Sequence, residues 1–330
     1  MPLRVAFAGF RHGHVLSFVN AARNLDYCEI VGVVEESDDD LQYLQRADLE
    51  RTHATVDEML DDVEVDLLAT AEYYARRGSV VIKGLQSGAH VISDKPLCTE
   101  IDELREIKRL AEESDLQVAM QLSMRFSPVY QTMRRIVQDG ELGQFLAASV
   151  FGQHPLGYPD TRPGWYFEEG KHGGTINDIF IHGADMLRYC TGLEFETVVA
   201  AEAWNASLPE VPFFQVGAQC MLAMQGGPHV LADVSYMPGR GWQFFLTGSE
   251  AYLAVDHDRM LLSPEGGEER HIQPQADQPS ASPFEDLASH LEHGTERFLP
   301  TEEVFRSQMA VLAAQRAADT GERDMPVPQI

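Results

Sequence analysis

His90-Val91-Ile92-Ser93-Asp94-Lys95-Pro96 runs from a short apolar stretch straight into a charged pair and a proline. Its first four residues have the length and β-branched character of a buried strand. Proline disfavours a helical backbone at the preceding residue, so Lys95 is expected to be extended, with its ammonium presented at the strand's end. Open α/β sheets keep their ligands at that edge. Outward from this stretch, the chain up to about Leu122 alternates short apolar runs with helical patterns, which predicts a mostly parallel, Rossmann-like sheet with crossover helices. After Arg125 the strand-like runs lengthen and crowd together: Phe145 to Phe151, Phe195 to Ala203, Gln215 to Met224, Val230 to Tyr236 and Gln243 to Thr247. They predict a large, mostly antiparallel open sheet, with Gly226-Gly227 and Pro238-Gly239 supplying turns. The expected class is therefore α/β followed by α+β, with domains 1–122 and 123–330. Ser263 to Ser282, rich in Glu, Gln, Pro and Gly, is expected to be an exposed loop, and helical patterns follow from Pro283 to Phe298 and from Thr301 to Asp319.

A second motif stands far along the chain: Gly173-Gly174-Thr175-Ile176-Asn177-Asp178, followed by His182. Asp178 and His182 are four apart in a segment that reads as helix through Leu187, which puts them on one face about a turn from each other. A carboxylate so placed can orient an imidazole or tune its basicity. A lone Lys-Pro is usually a solvated loop, and a lone Asp/His pair a surface contact. Their occurrence together suggests a proton-transfer site.

These residues resemble the glucose/fructose oxidoreductase and inositol dehydrogenase (Gfo/Idh/MocA) family, whose members carry Glu-Lys-Pro and a later Asp-x-x-x-His preceded by glycines. Asp94 for Glu is a departure. The resemblance runs the length of the chain: Leu3 to Ala8, Glu29 to Glu35 and Val65 to Thr70 look like its early strands, and Met124-Arg125-Phe126-Ser127-Pro128 like its crossover segment. Glu141-Leu142-Gly143 is similar to its entry into the second domain, and the end of the chain to its closing pattern, with the last helix able to pack back on the first domain. The resemblance implies NAD(P)-dependent hydride transfer between nicotinamide and a sugar, polyol or related small molecule. In it His182 is the general base, Asp178 positions the substrate or the imidazole, and Lys95 hydrogen-bonds the reacting oxygen. Lys95, Arg125, Tyr158, Trp165, Lys171, Asp178 and His182 are the expected substrate contacts, with Asp185 a further candidate. A homodimer or homotetramer is implied as well.

The dinucleotide turn departs most from the family. Gly-x-Gly-x-x-Gly supplies glycines for the tight turn, for approach of the pyrophosphate and for helix packing. Here the segment is Gly9-Phe10-Arg11-His12-Gly13-His14. Only the first glycine is in place; Arg11 stands at the second and either obstructs the pyrophosphate or pairs with it. His14 stands at the third. Glu35, at the end of the second strand, is placed to accept from the adenosine ribose hydroxyls, which favours NAD over NADP, and Glu36 strengthens that bias. Thr70, Lys95 and Gln121 complete the expected cofactor contacts. After Thr70 the chain reads Ala71-Glu72-Tyr73-Tyr74-Ala75-Arg76 where the family has a proline and then a histidine.

At 330 residues the chain suits two domains. Acidic residues number 52 against 25 basic, a formal net charge of −27, and the only lysines are Lys83, Lys95, Lys108 and Lys171. Such a surface repels phosphate backbones and anionic membranes, which argues against nucleic-acid or membrane partners. An acid-rich, lysine-poor surface also fits a high-salt cytoplasm, where screening removes the self-repulsion. No apolar run reaches bilayer length and no signal pattern precedes the first strand, so a cytoplasmic enzyme is expected. Cys28, Cys98, Cys190 and Cys220 lack metal-ligand spacing and are expected as reduced thiols.

Two rival readings remain. In one, His12, His14, Asp178 and His182 hold a metal in a lyase or hydrolase, although no tight ligand motif joins them and the favoured reading has no metal. In the other, the altered turn marks a non-catalytic nucleotide- or ligand-binding protein on an oxidoreductase scaffold. Substrate identity rests on the loops between Phe151 and Trp165 and around Tyr236 to Trp242, whose spacing does not orient their side chains.

Overall fold

The computed structural model describes residues 1–39, 41–157, 162–276 and 282–330, in two compact units. One unit comprises Met1–Leu122, Pro163–Gly173 and Ala281–Gln308; the other comprises Ser123–Arg162, Gly174–Ser280 and Met309–Ile330.

In the first unit, β1 (Leu3–Phe10), β2 (Cys28–Val34), β3 (Leu67–Ala71), β4 (His90–Ser93) and β5 (Val118–Met120) form a parallel sheet in the order β2-β1-β3-β4-β5. The continuous apolar runs follow from crossover helices that bury the sheet on both faces. Val5, Ala6, Phe7 and Ala8 are all fully buried, so neither face of β1 meets water. Amphipathic helices at Val15–Asn24, Tyr74–Gln86 and Ile101–Glu113 supply the cover. Helix Pro283–His293 closes one side, its Phe284 ring 6.1 Å from that of Phe18. Its bounds are written in the sequence: Ser282 and Glu285 make a reciprocal capping box, Pro283 opens the first turn, and Gly294 ends it at φ 67°.

In the second unit, β6 (Phe145–Gln153), β7 (Phe195–Trp204), β8 (Gly217–Met224), β9 (His229–Ser235), β10 (Trp242–Gly248), β11 (Ala251–Asp256), β12 (Arg259–Pro264), β13 (Arg270–Ile272) and β14 (Met325–Pro326) form a nine-stranded sheet. Its order is β13-β12-β11-β10-β6-β9-β8-β7-β14, antiparallel throughout except where β6 lies parallel to β9. Alternation along β8 and β9 buries every second residue, as a sheet covered on one face requires.

The sequence reading of Ser263 to Ser282 as one exposed loop needs correction. Arg270–Ile272 is an edge strand that pairs with Met260 to Leu262. Three mostly polar residues carry no alternation; backbone pairing at the sheet edge places them, and periodicity does not reveal it. Asp277–Ala281, also in that stretch, lie outside the described residues.

Candidate functional site

At the carboxyl edge of the parallel sheet, the turn Gly9–His14 joins β1 to the helix Val15–Asn24. Gly9 has φ +79°, and a Cβ there would sit 2.8 Å from the Glu72 backbone, so only glycine fits both the turn and its neighbour. Glu35 is 1% exposed and accepts the Phe10 N–H at 2.6 Å and the Ser37 N–H at 3.0 Å. Arg11 donates its guanidinium to the Asp39 carbonyl and lies 3.7 Å from Glu35. It is folded toward the end of β2 and is 6% exposed.

Asp94 and Lys95 follow β4, with Lys95 2% exposed and the Lys95-Pro96 peptide cis. The Lys95 ammonium lies 5.9 Å from the centre of the Tyr74 ring. Asp94 is fully buried and meets both turn histidines: His12 Nδ1 is 2.7 Å from one carboxylate oxygen and His14 Nδ1 is 2.8 Å from the other. Arg77 Nη2 also reaches Asp94, at 3.4 Å. Burial alone would raise the Asp94 pKa, but His14, His12 and Arg77 together hold the carboxylate well below its usual range. Desolvation pushes His12 down to about 4 despite the neighbouring carboxylate. Thr70, one residue before the end of β3, is fully buried, and its carbonyl accepts the Asp94 N–H at 2.8 Å. Gln121, just past β5, donates its backbone N–H to Ser93, while its side-chain Oε1 is buried with no hydrogen-bond partner among the described residues.

Segment Pro163–Gly173 belongs to this same unit. Trp165 Nε1 donates to the Arg11 carbonyl at 2.8 Å, and Tyr166 Oη is 2.5 Å from Tyr74 Oη. Trp165, expected at the substrate, thus packs on the dinucleotide turn. Lys171 pairs with Glu168 at 2.5 Å and lies over the Tyr73 ring. Tyr158, another expected substrate contact, lies outside the described residues.

In the second unit, Gly174 has φ +95°, and the space a Cβ would take is filled by the Gln315 side-chain amide. Gln315 Oε1 accepts the Ile176 N–H at 3.0 Å, which fixes the start of the following segment. That segment begins as a π-turn, Ile176–Phe180, before becoming the α-helix Ile181–Thr191. Regular α-periodicity was the expectation; single π-turns inside helices are frequent at functional sites. Asp178 is 1% exposed and its Oδ2 accepts the Tyr236 hydroxyl. The His182 ring stacks at 6.5 Å on His154 and meets Trp242 edge-on at 5.5 Å. The sequence pointed to the loops that carry His154, Tyr236 and Trp242 without singling them out, because aromatic and imidazole side chains in loops show no periodicity.

Arg125 and Asp185, both expected at the substrate, are paired with each other. Arg125 Nε reaches both oxygens of Asp185, at 2.9 and 3.1 Å, and Nη2 reaches one at 2.6 Å. Both side chains are buried, and the guanidinium also lies 4.8 Å from the Tyr189 ring, so the pair binds the segment after Leu122 to the helix of His182.

A parallel sheet ending in a glycine turn, with a buried acid at the end of its second strand, defines the dinucleotide-binding class of Rossmann proteins. Residues 3–122 match the family described as oxidoreductase family, NAD-binding Rossmann fold, and residues 130–254 match the GFO/IDH/MocA C-terminal domain. The chain belongs to the Gfo/Idh/MocA oxidoreductase family. It is 29% identical over 136 residues to 1,5-anhydro-D-fructose reductase of Ensifer adhaerens, covering 41% of this chain and 40% of that protein. The fold matches the aldose-aldose oxidoreductase of Caulobacter crescentus complexed with glycerol, with TM-score 0.81, 18% identity and coverage of 98% and 100% of the two chains. It also matches levoglucosan dehydrogenase in complex with NADH, with TM-score 0.82, 16% identity and full coverage of both chains. The curated alignment spans about two fifths of that reductase's length. No helix among the described residues is long and apolar enough to cross a membrane.

Proposed function

We propose that this protein is an NAD-dependent dehydrogenase or reductase acting on a CH–OH group of a sugar, polyol or related small molecule. The observation that carries the reading is the buried polar edge of the parallel sheet: Glu35, Asp94 with Lys95, and Gln121, whose Oε1 has no partner among the described residues, stand buried just past β2, β4 and β5, where this fold takes its ligands. A polar acceptor buried without a partner costs about 1–3 kcal/mol, which a bound ligand that donates to it removes. The residues suit a dinucleotide: the turn Gly9–His14 meets its pyrophosphate, Glu35 and Phe10 its adenosine side, and Thr70, Lys95 and Gln121 its nicotinamide side. NAD is favoured over NADP because a 2′-phosphate would meet the carboxylates of Glu35 and Glu36. Bound there, nicotinamide supplies the hydride acceptor or donor.

Lys95, Asp178 and His182 are the catalytic residues in this reading. His182 takes the hydroxyl proton as a general base, an imidazole being suited to that exchange near neutral pH. Lys95 donates to the same oxygen and stabilises its developing negative charge. Asp178, tied by Tyr236, positions the substrate or the imidazole. Names of the relatives support the substrate class: 1,5-anhydro-D-fructose reductase and inositol dehydrogenases stand among them. The reading includes a cytoplasmic homodimer or homotetramer, supported by the exposed Leu146, Leu231 and Tyr252 of the large sheet.

Calorimetric titration with NAD and with NADP tests the cofactor, and a panel of sugars and polyols with the bound cofactor tests the reaction. Saturable NAD binding followed by turnover of one panel member is expected. Absence of binding by either dinucleotide sinks the reading and leaves the non-catalytic scaffold.

A further inference from the structure

We propose that His12, His14 and Asp94 form a site for one zinc-class divalent cation at the dinucleotide turn. One candidate ligand atom from each of the three lies within 4.8 Å of the others. The residues reach this point from two separate strand ends, the turn after β1 and the residue after β4, so the cluster is a product of the fold and not of local sequence. It differs from the set that spacing suggested, with Asp94 in the place of Asp178 and His182.

The donor chemistry selects the cation. Two imidazole nitrogens and one carboxylate match the three-ligand sites of zinc and its borderline neighbours, which leave a further position for water or an anionic oxygen. All-oxygen sites suit magnesium and calcium, and this set is not one of them. Its open side is given by His14, whose side chain is 41% exposed while those of His12 and Asp94 are 10% and 0% exposed. Both carboxylate oxygens are already oriented: Lys95 N–H donates to Oδ1 at 2.7 Å and Arg77 Nη2 lies 3.4 Å from Oδ2. Outer partners of this kind fix a ligand's direction before the cation arrives.

Each imidazole contacts the carboxylate through Nδ1 at hydrogen-bond distance, 2.7 and 2.8 Å, which in a neutral ring needs the proton on Nδ1. When Nδ1 binds the cation that proton moves to Nε2, so a neutral ring releases none. Ligand bonds of about 2.0–2.2 Å arranged tetrahedrally separate the donor atoms by roughly 3.3 Å, within the 4.8 Å span of the three candidate atoms, so a cation needs only a local adjustment of the side chains. The half-exposed His14 on its turn can make that movement. The altered fingerprint thereby gains a reason: histidines stand at the turn's fourth and sixth positions because their side chains serve a ligand that glycine cannot hold.

The test uses the full chain, stripped with a chelator and titrated calorimetrically with Zn²⁺ alone, then with Co²⁺ monitored by visible absorption. One equivalent per chain is expected, with the intense bands of four-coordinate Co²⁺. His14→Ala and His12→Gln should each weaken Zn²⁺ binding at least about tenfold. His14→Ala changes a half-exposed side chain, so it decides the matter if the buried His12 variant does not fold. Failure to take up a stoichiometric cation, or uptake unchanged by His14→Ala, overturns the site. Neither cofactor nor substrate enters this measurement, so its failure leaves the dehydrogenase reading standing, and a failed NAD titration leaves the metal site standing.

Discussion

The Tyr236 hydroxyl donates to Asp178 Oδ2, tying the chain just past β9 to the π-turn that leads into the helix of His182. A hydrogen bond to a carboxylate is worth about 1.5–3 kcal/mol, more than a neutral pair. Tyr236→Phe removes the donor and keeps the ring. The expected outcome is a kcat lowered about tenfold or more with KM changed less, because the carboxylate loses its tether. Steady-state kinetics on the identified substrate check this, and an unchanged kcat removes Tyr236 from the positioning role.

Lys95→Ala should leave NAD affinity within a few-fold and lower kcat by about 10²-fold or more, the range seen when one donor to a developing oxyanion is removed. Calorimetry gives the first quantity and single-turnover kinetics the second. Equal losses in both would make Lys95 a cofactor ligand only.

Arg125 and Asp185 form a buried bidentate pair, and removing one partner strands the other's charge. Asp185→Leu or Arg125→Met should each cost about 3–5 kcal/mol of stability, while the two together should cost less than the sum. Urea unfolding of the four proteins completes the cycle. Strict additivity would mean that the two side chains act independently.

His12 carries a pH signature. Its folded-state pKa is depressed to about 4, chiefly by desolvation, whereas the unfolded chain protonates near 6.5. Between those values the unfolded state binds a proton that the folded state refuses, so stability is full above about pH 6.5 and falls as pH drops toward 4. The loss amounts to about 3 kcal/mol. Asp94, depressed below the usual carboxylate range, contributes stability that is present above about pH 4 and is lost in stronger acid. Denaturant midpoints measured from pH 7.5 to 4 in metal-free buffer should show a slope that His12→Gln flattens.

With 52 acidic and 25 basic residues, self-repulsion should weaken as salt shortens the Debye length from about 10 Å at 0.1 M to about 3 Å at 1 M. The melting temperature is expected to rise between 0.1 and 1 M KCl. A flat or falling profile would remove the high-salt habitat inferred from composition.

The sequence made some of this legible because the signal was local. The run His90–Ser93 and the helix start at Pro283 are written in propensity, and the structure repeats them, whereas the pattern read through to Phe298 stops at Gly294, where the chain turns left-handed. Arg11 was ambiguous because its direction depends on Glu35 and Asp39, brought near it only by the β1-β2 pairing. The triad of His12, His14 and Asp94 was hidden for the same reason: parallel neighbours are joined through crossovers, so residues distant in sequence share one edge. Likewise the Arg125–Asp185 pair joins residues that seemed to be separate substrate contacts.

Between β6 and β9 the large sheet has its single parallel seam, and residues 154–228 must be laid down before it can close. On either side the strands are antiparallel neighbours, β6-β10-β11-β12-β13 and β9-β8-β7-β14, most of them adjacent in sequence. Pairings of high sequence separation are slow to form, and the seam shares that cost with β6-β10 and β7-β14, whose partners lie still farther apart in sequence. Asp178 and His182 lie inside that long excursion, with Tyr236 just beyond it. The helix that carries His182 is thus framed by long-range pairings of the sheet and not by its own neighbours in sequence, so its final ordering waits on contacts made late in folding.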